Sequence, residues 1–242
     1  MHPMKAVSPQ LFAQLEKFDS CTISNAIETF GLRTRNEGFM NSSVQCRFPG
    51  MGPRAGYAVT ARIRTSSTPI AGRCYYDRPD WWTHVCAIPG PKFVAIQDVD
   101  HVPGLGALVG EIHANIFTAL GCSALVTNGA VRDLPGVEKA GLQVFAGNVS
   151  VSHSYAHVVD FGVPVEIGGL AVNPGDLLHG DRHGIVCVPF DIAEEIPAEA
   201  ARMVEAEKEL IRYCRSPQFS AGGLAAKIQY VLGRLDGDAA RL

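Results

Sequence analysis

The run from Lys92 to Asp133 constrains this chain more than any other stretch. It begins with the apolar Phe93-Val94-Ala95-Ile96, closed by Gln97-Asp98-Val99-Asp100, and passes into Pro103-Gly104-Leu105-Gly106-Ala107-Leu108-Val109-Gly110. Glu111 then opens a segment of helical composition reaching Leu120. A second apolar run, Ala124-Leu125-Val126-Thr127, leads to the polar turn Asn128-Gly129-Ala130-Val131-Arg132-Asp133. Strand, glycine loop, helix, strand and turn follow one another as in a parallel βαβ unit. The helix of such a unit starts where the first strand leaves off, so its free N–H groups and positive dipole end form an anion site. A second strand parallel to the first ends at the same edge and brings Arg132 and Asp133 toward that helix start. Any chemistry belongs there.

The glycines alone specify little. Gly104, Gly106 and Gly110 are spaced G-x-G-x-x-x-G, one residue longer than the dinucleotide fingerprint, and no acidic residue closes a following strand at the usual distance. Composition narrows the remaining classes. A net charge of -3 provides no basic field for a nucleic-acid partner. The seven cysteines form no C-x-x-C pair, which argues for reduced thiols and against a disulfide frame or zinc site. No apolar run approaches the roughly 18 residues of a membrane span, and the N-terminus lacks a signal-peptide core. A soluble, cytoplasmic protein with no membrane partner is expected.

Around the central unit, Ser8 to Phe18 and Asp19 to Phe30 read as two short helices, the second stopped by Gly31. Tyr57 to Thr65 alternates as a half-buried strand with a solvated basic face, Arg62 and Arg64 included. Ala71 to Asp80 gives no clear signal and reads as a loop. Pro79 then opens a helix carrying Trp81, Trp82 and His84; two adjacent tryptophans cannot both face the core, so one lies at a subunit contact or over a pocket. Leu142 to Ala146 is a third parallel-type strand. His153 and His157 are four apart, but the serines around them argue against a helix and no third ligand is near, so a pocket rim or subunit contact is expected. His179 and His183 share that spacing within a glycine-marked turn. Val158 to Pro189 reads as a β meander, Asp191 to Arg212 as a long helix with a solvated acidic face, and Leu224 to Leu235 as an apolar helical tail. The organisation expected is one α/β domain over 1–213 and an extension, 214–242, packing on the domain or on a neighbouring subunit.

Gly110-Glu111, Asn128 to Asp133, Pro174-Gly175-Asp176 and Gly180-Asp181-Arg182-His183-Gly184 together resemble a known family. It is that of the regulator of ribonuclease activity A and the class II 4-hydroxy-4-methyl-2-oxoglutarate aldolases. The resemblance runs from about Phe18 to Pro189. It implies a three-layer swivelling β/β/α fold with a mixed sheet, like that of phosphohistidine domains, and a homotrimer or dimer of trimers. It also implies that the helix carrying Thr22, Ser24 and Asn25 packs beside the site. Three departures from many relatives stand out: Asn128 and His183 where they carry Asp, and His113 where they carry an apolar residue. His113 is therefore expected to line the pocket.

The activity implied is divalent-metal-dependent cleavage or decarboxylation of a 4-hydroxy-2-oxo acid or oxaloacetate, giving pyruvate. Asp133 would ligate Mg²⁺ or Mn²⁺, an ion that keeps several waters and takes only one or two protein carboxylates. Glu111 matches the acidic position that reaches the metal through water, although a Glu in a first helical turn also simply suits the dipole. Arg132 would pair with the oxygens of the 2-oxo acid, with Gly110 at the helix entrance and the N–H groups of Ile112 and His113 on its carboxylate. Arg132 and Asp133, adjacent on a turn, are expected to project in different directions. Glu205, Glu207 or Glu209 is a candidate for completing a neighbour's site. The alternative is a non-catalytic binding protein like the ribonuclease regulators.

Overall fold

Prolines, glycines and capping side chains divide the chain into short elements, which the structure, a computed structural model, describes over residues 6–71 and 78–236. In order these are α1 (Pro9–Leu15), α2 (Ser20–Glu28), β1 (Gln45–Cys46), β2 (Arg54–Arg64), α3 (Pro79–Ala87), β3 (Lys92–Asp98), β4 (Ala107–Val109), α4 (Glu111–Ala119) and β5 (Cys122–Val131). There follow α5 (Leu134–Lys139), β6 (Gln143–Val149), β7 (His157–Phe161), β8 (Val165–Ile167), β9 (Leu170–Val172), β10 (Leu177–Asp181), β11 (Gly184–Val188), α6 (Ile196–Cys214) and α7 (Ala221–Asp236). The starts have local causes. The Asp19 side chain accepts the Thr22 N–H at 2.7 Å to cap α2, and Pro79 sits where a first helical turn needs no N–H.

Nine strands form one mixed sheet in the order β1-β6-β5-β3-β2-β10-β11, with β4 added to β5 and β7 to β2. Its centre, β2-β3-β5-β6, is parallel. Parallel strands are covered on both faces, which is why β3 and β5 are continuous apolar runs. On one face Val94, Ile96 and Leu125 meet Leu11, Ile23, Trp81 and Phe117 from the helices. On the other, Phe93, Ala95, Val126 and Phe145 meet Val165, Ile167, Leu170 and Val172 of the separate β8–β9 hairpin. Three layers result, hairpin, sheet and helices, as the swivelling β/β/α reading requires. Each large side chain so buried contributes on the order of 1.5–3 kcal/mol, enough for the two cores to clamp β3 between them.

Several elements differ from expectation. β2 is buried on both faces from Ala55 to Ala61, Thr60 included, because the helices cover one face and the β8–β9 hairpin the other; only its end alternates, with Arg62 half-buried and Arg64 exposed. Asn128 to Val131 belong to β5, so only Arg132 and Asp133 form the turn. The meander is broken: β7 returns to β2, while β8 and β9 form their own sheet. His179 lies within β10, not in a turn, and α6 starts at Ile196, after a 3-10 turn over Phe190–Ile192. Residues 72–77 of the Ala71–Asp80 loop lie outside the described residues. α7 packs along α6, with Val231 buried and Lys227 3.4 Å from Glu209. Among the described residues no helix is long and apolar enough to cross a membrane.

Candidate functional site

The site starts from how β3 ends. The Asp98 carboxylate is buried and accepts the N–H groups of Gly104 at 2.8 Å and Asp100 at 3.1 Å. Burial pushes its pKa up, against the pull of those N–H bonds. The Asn128 side chain clamps the same residue, accepting Asp98 N–H at 2.7 Å and donating to Asp98 O at 2.9 Å. The glycine loop is thereby pinned from within. β4 emerges from it paired with the end of β5, Ala107 beside Ala130 and Val109 beside Val131, and Arg132 N donates to Val109 O at 3.0 Å. The chain turns into α4 where β5 stops.

At that meeting point Gly110 leaves no space for a side chain. A Cβ there would lie 2.5 Å from Asp133 Oδ2 and 3.0 Å from Arg132 Cγ. Asp133 itself has φ 52, the left-handed region that a non-glycine residue adopts at a cost. That conformation folds its carboxylate back, so Oδ2 lies 3.4 Å from Glu111 N and 3.3 Å from Arg132 Nε. Arg132 and Asp133 therefore converge, contrary to the divergence expected of neighbours on a turn. The contact is ionic and lacks hydrogen-bond geometry, for Arg132 Nε is buried and makes no hydrogen bond. Both side chains reach solvent, 28% and 41% exposed. Glu111 lies across α5, where a Cβ on Gly136 would be 2.5 Å from its Cδ. Two glycines thus make room for two carboxylates at one helix start.

A model of the RraA-like family, described as Aldolase/RraA, matches residues 20–187. The chain belongs to the RraA-like family. Two curated relatives are provisionally named as 4-hydroxy-4-methyl-2-oxoglutarate aldolases. One, from Halalkalibacterium halodurans, is 26% identical over 97 residues, 40% of this chain and 46% of its own. The other, from Ectopseudomonas mendocina, is 31% identical over 85 residues, 34% of this chain and 52% of its own. The RraA-like chain thus matches about half the length of each. Among solved structures, an uncharacterised protein from Pseudomonas syringae pv. tomato superposes with a TM-score of 0.73 at 19% identity, covering 95% of this chain and 98% of that one. An unusual member of the RNase ES inhibitor RraA family from Streptomyces coelicolor gives 0.67 at 20% identity, covering 85% and 98%. At those identities the superpositions establish the fold.

Of the remaining candidates in this RraA-like protein, Ile112 is exposed on the first turn of α4. His113 departs from expectation. Its imidazole is 1% exposed and packs against Trp82 and Phe117, with ring centroids 5.7 Å and 6.3 Å away, so only its backbone faces the Arg132–Asp133 edge. A residue two places after Glu111 points to the far side of a helix. His153 and His157 lie in a loop and on β7, each Nδ1 bonded to a nearby carbonyl, Ser154 O at 2.8 Å and Tyr155 O at 2.7 Å. His183 pairs with Asp181 at 3.1 Å on the β10–β11 turn. Among the described residues no three His, Cys, Asp or Glu side chains gather as a metal site.

Two features of the RraA-like chain escaped the sequence. The space-making role of Gly110 and Gly136 has no sequence signature beyond the glycines themselves. A cavity of about 580 Å³ lies on the other side of α4, walled in part by Trp81, Trp82, His113, Arg64 and Arg78. The paired tryptophans behind Pro79 were its only signal.

Proposed function

We propose that the protein is a divalent-metal-dependent lyase that cleaves 4-hydroxy-2-oxo acids, or decarboxylates oxaloacetate, to pyruvate. The observation that carries this reading is the convergence of Arg132 and Asp133 on Gly110 at the start of α4. Family membership and the names of the two aldolase relatives support it. The donor set suits Mg²⁺ or Mn²⁺: one half-exposed carboxylate at Asp133, a second on the same helix start at Glu111, beside Gly136, and among the described residues no cluster of sulfur or imidazole ligands. Bound at Asp133, such an ion would supply electrophilic pull on the keto oxygen.

The chain's own groups do the rest. N–H groups at the start of α4 hold the substrate carboxylate, as free donors at a positive helix end do. Arg132 pairs with the carboxylate and keto oxygens, while its Nε stays 3.3 Å from Asp133 Oδ2. As the C3–C4 bond breaks, the electron pair moves onto the keto oxygen and leaves pyruvate enolate, whose charge Arg132 meets. Glu111, acting through water, takes the C4-hydroxyl proton. We further propose a trimer, or a dimer of trimers, with the site near a subunit boundary. Leu105, Ile112, Val149, Val151 and Tyr155 stand exposed on the elements beside the site, and such patches suit protein contacts.

The test is a pyruvate-release screen over 4-hydroxy-2-oxo acids and oxaloacetate, using chelator-treated protein before and after addition of Mg²⁺ or Mn²⁺. Activity should vanish with chelation and return with metal. Full activity after exhaustive chelation, or borohydride trapping of a lysine Schiff base, rules out this mechanism. Release from no substrate returns the chain to the binding-protein alternative.

A further inference from the structure

The cavity behind α4 has no part in the proposed reaction. Gly110, Glu111, Arg132 and Asp133 are absent from its walls, and its volume of about 580 Å³ falls within the approximately 300–1,000 Å³ of small-molecule sites. The half-buried Trp82 gives it a flat apolar face, backed by the buried Trp81, and Ser67 and Thr68 lie among its polar residues. Its two arginines differ. Arg78 is fully engaged, with Nε and Nη2 each 2.9 Å from Asp80, Nη1 donating to Val158 O at 3.1 Å and the guanidinium 5.0 Å above Phe161. Arg64, exposed at the end of β2, has no hydrogen bond or ion pair from its side chain among the described residues. No Asp or Glu is among the described residues lining the chamber.

Among the described residues, an arginine without a counter-charge, beside an indole face and no carboxylate, selects for a negative group carried on a flat apolar body. We propose that this cavity binds a small aryl carboxylate, its carboxylate on Arg64 and its ring against Trp82. The site is separate from the Arg132–Asp133 edge and does not depend on the lyase reading. The two share α4 as a wall, one facing Glu111 and the other the His113 imidazole.

The chain's only two tryptophans both line this cavity, so intrinsic tryptophan fluorescence reports on it alone. Full-length protein is titrated with phenylacetate and with its neutral isostere, phenylacetamide. Phenylacetate should give a saturable change, and the amide should bind at least about tenfold more weakly, the usual worth of a charge-assisted bond. Arg64→Gln, at an exposed strand end, should weaken phenylacetate binding to the same extent, while Asp133→Asn should leave it unchanged. No saturable change in the wild type overturns the proposal, as does equal binding of acid and amide, a comparison that needs no variant. Loss of binding in Asp133→Asn would merge the cavity with the other site and overturn the claim that it is separate.

Discussion

Replacing Gly110 with alanine isolates the geometry of the site from its chemistry. The backbone at Gly110 has φ -132 and ψ -161, which alanine adopts freely, so the substitution carries no conformational strain. The helix start loses about 1 kcal/mol or less by exchanging glycine for alanine at the capping position. The effect lies in the contact. The new Cβ stands 2.5 Å from Asp133 Oδ2, where ordinary contact begins at 3.4 Å, and 3.0 Å from Arg132 Cγ. Asp133 is held by its left-handed backbone, so its carboxylate must swing away and disturb Arg132 Nε with it. A misplacement on the order of 1 Å costs about a hundredfold in rate. For Gly110→Ala, kcat for pyruvate release should therefore fall by about a hundredfold and Mn²⁺ affinity should weaken, with Tm lowered by no more than about 2–4 °C. Turnover and Mn²⁺ affinity are measured beside the melting curve. Wild-type values for both would refute the reasoning, because the two side chains would then work equally well when displaced.

Arg132→Lys keeps the charge but loses the planar fork, and should lower kcat by about a hundredfold or more while Mg²⁺ affinity persists; unchanged kcat removes Arg132 from the mechanism. His179 is buried, and burial pushes its pKa down to about 4. The folded state therefore holds it neutral while the unfolded chain binds a proton below about 6.5. Stability from this group is present above that pH and is lost as pH falls toward 4, by up to about 3 kcal/mol. Urea midpoints of wild type and His179→Gln compared across this range should diverge in slope, and parallel profiles would exclude the effect. Light scattering at micromolar concentration should return three or six times 25.9 kDa, and a mass near 25.9 kDa argues against the trimer.

The backbone of the site was legible because periodicity and turn chemistry are local. Phe93 to Ile96 and Ala124 to Thr127 formed parallel strands, and Glu111 opened the helix between them, as their patterns required. Direction was not legible. Asn128 and Gly129 have turn chemistry, yet β6 and β4 pair with both sides of that segment and keep it in β5. Asp133 turned toward Arg132 because a left-handed residue reverses the side chain's course, which no spacing rule foresees. His113 points away from the site because Trp82 and Phe117 offer its ring a place to pack. β2 alternates as a half-exposed strand would, and only the packing of the helices and the β8–β9 hairpin shows both its faces covered from Ala55 to Ala61.

Asn128 and Gly129 also form the dipeptide most exposed to chemical ageing, since a glycine nitrogen readily attacks the preceding amide carbon and converts Asn to an acid. Here that nitrogen donates to Thr127 Oγ1 at 2.9 Å, and both ends of the amide are held by the Asp98 backbone. The fold therefore shields its most perishable bond with the same contacts that pin the glycine loop. Once lost, the amide donor would be replaced by a carboxylate oxygen facing Asp98 O, two acceptors where a bond had been. Damage of this kind would enter through molecules that have opened locally, and it would cost them the bond to Asp98 O when they close.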